Sequence, residues 1–114
     1  MILFKPESKA RILAGVKTQT RKLWDRPRAR EGAEHLFYLR PPVTGEKPFA
    51  RALITHVWRQ RLADMSEEEA VAEGYATKAE FLAQFARINN AKVRGKRLED
   101  LQVYAVEFQV LETF

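Results

Sequence analysis

Apolar positions along the chain fall into short runs of two different periods, punctuated by glycine, proline and charge. Met1-Ile2-Leu3-Phe4 is a brief apolar run and predicts a strand. Pro6 stands where a helix can begin, since its missing N–H would go unpaired in a first turn anyway. Ile12, Leu13 and Val16 follow at helical spacing, with Gly15 as a natural stop. Thr18 to Trp24 is β-branched and aromatic in character and predicts an extended segment; the charged Asp25 to Gly32 predicts a loop. His35 to Arg40 reads as a strand ended by Pro41-Pro42. A turn from Val43 to Pro48 leads into the longest strand, Phe49 to about Leu62, so these two strands form a hairpin.

In the long strand a strict alternation puts Ala50, Ala52, Ile54, His56 and Trp58 on one face. On that reading Trp58 and His56 are packing residues. Ser66-Glu67-Glu68-Glu69 fits a capping box, and Thr77-Lys78-Ala79-Glu80 repeats the pattern, giving two short helices separated near Gly74-Tyr75. Asn89 to Asp100 is polar and predicts a loop. Leu101 to Leu111 closes the pattern as a central strand with Tyr104, Val106, Phe108 and Val110 facing one way. The order is α+β around a small β-barrel with flanking short helices, and 114 residues suit a single domain spanning 1–114.

Composition narrows the chemistry. The chain has no cysteine and two histidines, which excludes disulfides and thiolate metal sites, so no metal and no cofactor are expected. No apolar run approaches the ~18 residues of a spanning helix, so no membrane is expected as a partner and a cytoplasmic location is the default expectation. The net charge of +5 is unevenly distributed. Residues 1–61 hold 14 Lys/Arg against 5 Asp/Glu, net +9, whereas residues 62–114 hold 6 against 10, net −4. A basic half that also carries Trp24, Phe37, Tyr38 and Trp58 suits a phosphate-bearing partner.

The densest chemistry lies in Gly15-Val16-Lys17-Thr18-Gln19-Thr20-Arg21-Lys22-Leu23-Trp24, where cations, hydroxyls and an aromatic follow directly on the first helix. A small apolar helix ending in Gly and then Lys-Thr-x-Thr-Arg resembles the signature of the ASCH domain family, whose members are PUA-like β-barrels. The resemblance extends through Ile54-Thr55-His56-Val57, then Leu62 to Tyr75 with its Glu-Glu-Ala and Glu-Gly-Tyr elements, and finally Val103-Tyr104-Ala105-Val106-Glu107-Phe108. It implies a PUA-like mixed β-barrel that binds RNA or nucleotides in a basic cleft between barrel and helices. One bacterial branch of the family hydrolyses the acetyl-amide of N4-acetylcytidine through a Lys, a Thr and a Glu. Carried over by motif, these correspond to Lys17, Thr20 and Glu73. The run Arg21-Lys22-Leu23-Trp24 and the Arg-rich loop depart from that branch and suggest a different or bulkier ligand.

Two functions of different class follow as expectations. The first is an RNA, nucleotide or modified-nucleoside binder that uses Lys17, Thr18, Thr20, Arg21, Lys22, Trp24 and Tyr75. The second is an amidohydrolase acting through Lys17, Thr20 and Glu73, in which a base activates the threonine hydroxyl and the carboxylate serves the leaving amine. A third expectation, regulation through a protein partner, has no motif of its own. Each residue also has a plainer reading: Lys17 and Arg21 as phosphate contacts, Thr20 as a strand hydroxyl, Glu73 as an ion-pair partner, Trp24 as core, Tyr75 as packing, and Arg26, Arg28 and Arg30 as a solvated loop.

Overall fold

The computed structural model describes residues 1–114. The chain runs β1 (Ile2–Leu3), α1 (Pro6–Leu13), β2 (Gln19–Lys22), β3 (Glu34–Tyr38), β4 (Ala50–Arg61), α2 (Glu67–Ala72), α3 (Lys78–Ile88), α4 (Asn90–Val93) and β5 (Gln102–Thr113), with single 3-10 turns at Pro42–Thr44, Leu62–Asp64 and Leu98–Asp100. The five strands form one curled sheet in the order β1-β3-β4-β5-β2. Only β1 and β3 are parallel; β3–β4, β4–β5 and β2–β5 are antiparallel. The curl brings the two edges towards each other. Lys22 of β2 reaches across the seam and donates to the Leu3 carbonyl of β1 at 2.5 Å.

Strand β5 is central because both its faces are buried. Val106 and Phe108 join Ile2, Phe4, Phe37 and Ile54 in the core inside the curl. On the opposite face Val103 joins Leu62, Met65, Phe81 and Phe85 in a second core beneath the helices. The sequence pattern shows the first face; the second depends on α3 and α4 closing over the sheet. Val93 is buried in that second core, so one apolar side chain is enough to fold part of the expected Asn89–Asp100 loop into α4.

The simple alternation expected for β4 fails at one residue. Ile54 pairs with Phe108 and His56 with Glu107, so Thr55 has no partner and forms a β-bulge. The faces exchange beyond it. Ala50, Ala52 and Ile54 point into the first core, and after the bulge it is Val57 that packs there. His56 is consequently exposed beside Glu31 rather than packed, and Trp58 lies outside both cores. In α1 only Ile12 is buried, while Leu13 and Val16 are exposed. Both predicted helix caps are present. Ser66 and Glu69 form a reciprocal capping box, and Thr77 accepts from the Glu80 N–H.

Candidate functional site

The site begins where α1 ends. Gly15 adopts φ 77°, and the Val16 and Lys17 N–H groups fold back onto the Arg11 carbonyl, which closes the helix and turns the chain. Thr18 then clips two elements together through its backbone: its N–H donates to the Ala72 carbonyl at 2.8 Å and its carbonyl accepts from Phe108 at 3.0 Å. These bonds bring the start of β2 against the C-terminus of α2, so Lys17 faces Glu73. The following Gly74 has φ 96°, and a Cβ there would fall 2.6 Å from Arg11 Cδ, so this turn requires glycine. Arg11 continues over the Tyr75 ring, 4.6 Å from its centroid. Burial raises the Tyr75 hydroxyl pKa, against the opposing charge of Arg11.

Glu73 is 2% exposed and sits at the negative end of α2, a costly place for a carboxylate without cations. It has two. Lys17 Nζ lies 2.5 Å from its Oε1, and Arg21 Nη1 lies 3.1 Å from its Oε2. Arg21 makes three further bonds within the protein, through Nη2 to Glu69 at 2.7 Å, Nε to Gln60 at 2.8 Å and Nη1 to Gln19 at 3.1 Å. Burial pushes the Glu69 carboxyl up, but hydrogen bonds from Ser66 and Gln60 and the charge of Arg21 outweigh it and hold it below its ordinary range. The β4 bulge is what aims Gln60 and Trp58 at Arg21, whose guanidinium lies 5.8 Å from the Trp58 ring centroid. Two cations and two anions thus neutralise each other.

Above this network opens a cavity of about 250 Å³. Lys17, Thr20, Arg21, Lys22, Trp24, Glu73 and Tyr75 all line it, so one place gathers every sequence-predicted site residue except Thr18. Thr18 has an exposed side chain outside the cavity and contributes through its backbone. Arg21 contributes little open surface, since its side chain is wholly buried and all three of its nitrogens already donate within the protein. Thr20 is 4% exposed, and none of the site's side-chain hydrogen bonds involves its hydroxyl. No buried side-chain polar atom in the protein lacks a partner, so that hydroxyl keeps its open side to the cavity.

Lys22 also faces this space, its ammonium 4.7 Å from the Phe4 ring centroid. Burial, with Lys17 adding repulsion, lowers its pKa from 10.5 to about 8. The sign is fixed by proton counting. Between pH 8 and 10.5 the unfolded chain holds a proton on this lysine that the native state has released, so its contribution to stability rises with pH across that window. Below pH 8 both states are protonated and the penalty is present in full. Lys22→Met should therefore gain on the order of 2 kcal/mol relative to wild type near neutral pH, a difference that shrinks as pH rises. Urea unfolding of both proteins across this range would show it, and a constant difference would refute it.

Sequence reasoning missed several parts of the site. Lys5, Ser8, Asn89 and Lys92 also line the cavity, brought in by α1, α3 and α4. Of the loop arginines only Arg28 does; Arg26 and Arg30 do not. Gln60 and Glu69 support the floor, and Glu69 had been legible only as a capping residue.

No family model matches the chain, and no curated protein matches it. Its fold does recur in solved structures. Protein EF3133 from Enterococcus faecalis V583, of the DUF984 family model, superposes with a TM-score of 0.72 at 17% identity over 99% of this chain and 80% of that one. The ASCH domain from Lactobacillus crispatus JV V101 gives 0.68 at 22% identity over 91% and 70%. ASCH from Zymomonas mobilis gives 0.62 at 14% identity over 95% and 65%. The chain has the fold of an ASCH domain, the α+β PUA-like architecture anticipated from its motifs. No helix is long and apolar enough to cross a membrane.

Proposed function

We propose that the protein binds a nucleotide, free or as part of RNA, with the base and sugar in the cavity and phosphate on its rim. The observation that carries this reading is the division of charge. The buried floor is internally neutral, while Lys5, Lys22, Arg28 and Lys92 around the same cavity have no carboxylate within salt-bridge distance. A volume of about 250 Å³ lies below the ~300–1,000 Å³ of drug-sized ligand sites and suits a single nucleoside. Trp24 and Tyr75 supply aromatic faces, and stacking on such a face is worth about 1–3 kcal/mol per base. Cytidine 5′-monophosphate should bind more tightly than cytidine, by a margin that shrinks with added salt, and Trp24→Ala should weaken both by about 1–3 kcal/mol. Calorimetric titration tests this, and absence of binding by either ligand overturns it.

A second reading, hydrolysis of an acylated exocyclic amine such as that of N4-acetylcytidine, is favoured by the open Thr20 hydroxyl beside the Lys17–Glu73 pair. Nζ and Oε1 of that pair lie 2.5 Å apart, close enough for a proton to pass from one to the other. In the tautomer with the proton on Glu73, Lys17 takes the hydroxyl proton as Thr20 Oγ1 adds to the acyl carbonyl. Glu73 then gives its proton to the departing amine. Water releases the acyl group from Thr20 by the reverse sequence. Incubation with N4-acetylcytidine followed by chromatography should yield cytidine, with none from Thr20→Ala although cytidine binding persists. No product from the wild-type protein leaves the binding reading alone.

A further inference from the structure

Lys22 stands between two concavities. It lines the cavity above the buried network, and it also lines a second opening of about 340 Å³ at the seam of the sheet, with Ile2, Leu3, Trp24 and Arg28. Its side chain is half-buried, so a small molecule in the cavity can reach the amine. A protonated lysine carries three N–H donors, and the protein accepts only one of those on Lys22, at the Leu3 carbonyl. No carboxylate lies within salt-bridge distance of Nζ, and the apolar Phe4 ring lies 4.7 Å away. Lys17 differs, because its Nζ is engaged by Glu73.

These surroundings favour a neutral amine at Lys22. Burial acts most strongly, followed by repulsion from Lys17; Glu73 opposes them, and Lys5 and Lys92 add to the repulsion. At pH 8 about half of Lys22 is therefore free amine, against about 0.3% of a lysine titrating at 10.5. A desolvated lysine beside other cations is the form of this side chain that attacks carbonyl carbon.

We propose that Lys22 captures small phosphorylated aldehydes as an imine, with the aldehyde carbon at Nζ and the phosphate on the rim cations Lys5, Arg28 and Lys92. The Nζ lone pair adds to the aldehyde carbon to give a carbinolamine. The carbonyl oxygen then departs as water with the two N–H protons of the amine, and C=N replaces C=O. A protonated imine keeps one N–H, so the bond to the Leu3 carbonyl survives the reaction. The rim cations suit the phosphate because none has a carboxylate within salt-bridge distance. This inference does not rest on the nucleotide reading, since a covalent bond to Nζ requires neither base nor sugar.

The probe is pyridoxal 5′-phosphate, added to the intact protein between pH 6.5 and 10, trapped with borohydride and located by peptide mapping. The adduct should form on Lys22 at least about tenfold faster than on Lys47 and Lys96, which are exposed and lie outside the cavity. Its initial rate should level off above about pH 8. Lys22→Arg should abolish the fast adduct. Arg28→Ala/Lys92→Ala removes two exposed rim cations that make no side-chain hydrogen bond or ion pair, and should slow the labelling of Lys22 several-fold. Equal labelling of Lys22, Lys47 and Lys96 overturns the proposal, as does a Lys22 rate that still climbs at pH 10. An unchanged rate in the double variant overturns the assignment to phosphorylated aldehydes. Mapping on the wild-type protein gives the main result without any substitution, and it is independent of cytidine 5′-monophosphate binding, so either reading can fall while the other stands.

Discussion

Glu73→Ala is expected to destabilise the protein by about 3–5 kcal/mol, because it leaves the buried Lys17 ammonium with no carboxylate partner. The loss should appear as a fall in Tm of more than about 10 °C. Arg21 suffers less, since Glu69, Gln60 and Gln19 still accept from it. The orphaned lysine therefore carries most of the cost, and Lys17→Met/Glu73→Leu, which removes both charges, should recover roughly half of it. Denaturant unfolding of wild type, the single variant and the double variant measures both effects. A single-variant cost near 1 kcal/mol would be that of a surface ion pair and would contradict the buried network.

Phe37→Ala should cost a similar amount, about 3–5 kcal/mol, for a different reason. Phe37 is fully buried, with Phe4 at 4.7 Å, Phe108 at 5.0 Å and Phe49 at 6.0 Å between ring centroids. Removing the ring leaves a cavity among aromatic side chains fixed by three different strands or their flanks, which cannot collapse to fill it. The same change loosens Phe4, which forms part of the cavity wall. Phe37→Leu, which keeps much of the volume, should cost less than half as much by equilibrium unfolding. Equal stability of the alanine and leucine variants would show that this core relaxes around the gap.

The sequence makes some parts of this molecule readable and hides others for physical reasons. Ser66 and Thr77 were legible as caps because a cap is a local hydrogen bond between residues three apart. The candidate site was legible in its residue types, since Lys17 and Thr20 lie in one short motif and Glu73 in another. Their convergence was not, because it depends on the Thr18 backbone bonds to Ala72 and Phe108. His56 and Trp58 were misplaced by a bulge at Thr55, a position with neither glycine nor proline to mark it. Gln60 was silent for the same reason: a polar residue near the end of a strand reads as solvent-facing until the bulge turns it onto Arg21. The α4 turn was hidden because its one buried anchor, Val93, sits among charged neighbours. The seating of β2 was hidden because its one partner in the sheet, β5, follows all the other elements in the chain, so the pairing of Gln19 with Glu107 has no local signal.

That pairing also governs when the protein can work. Strand β2 has one neighbour in the sheet, β5, and their register joins Gln19 to Glu107 and Thr20 to Val106. During synthesis, Lys17 and Thr20 emerge well ahead of β5, the strand that positions them. Closing so long a loop is slow compared with forming local helices, so α1, α2 and α3 have the chance to form first while β2 remains an unpaired edge. Under the proposed function, nucleotide affinity should therefore be the last property to appear in refolding, a direct report that β5 has docked.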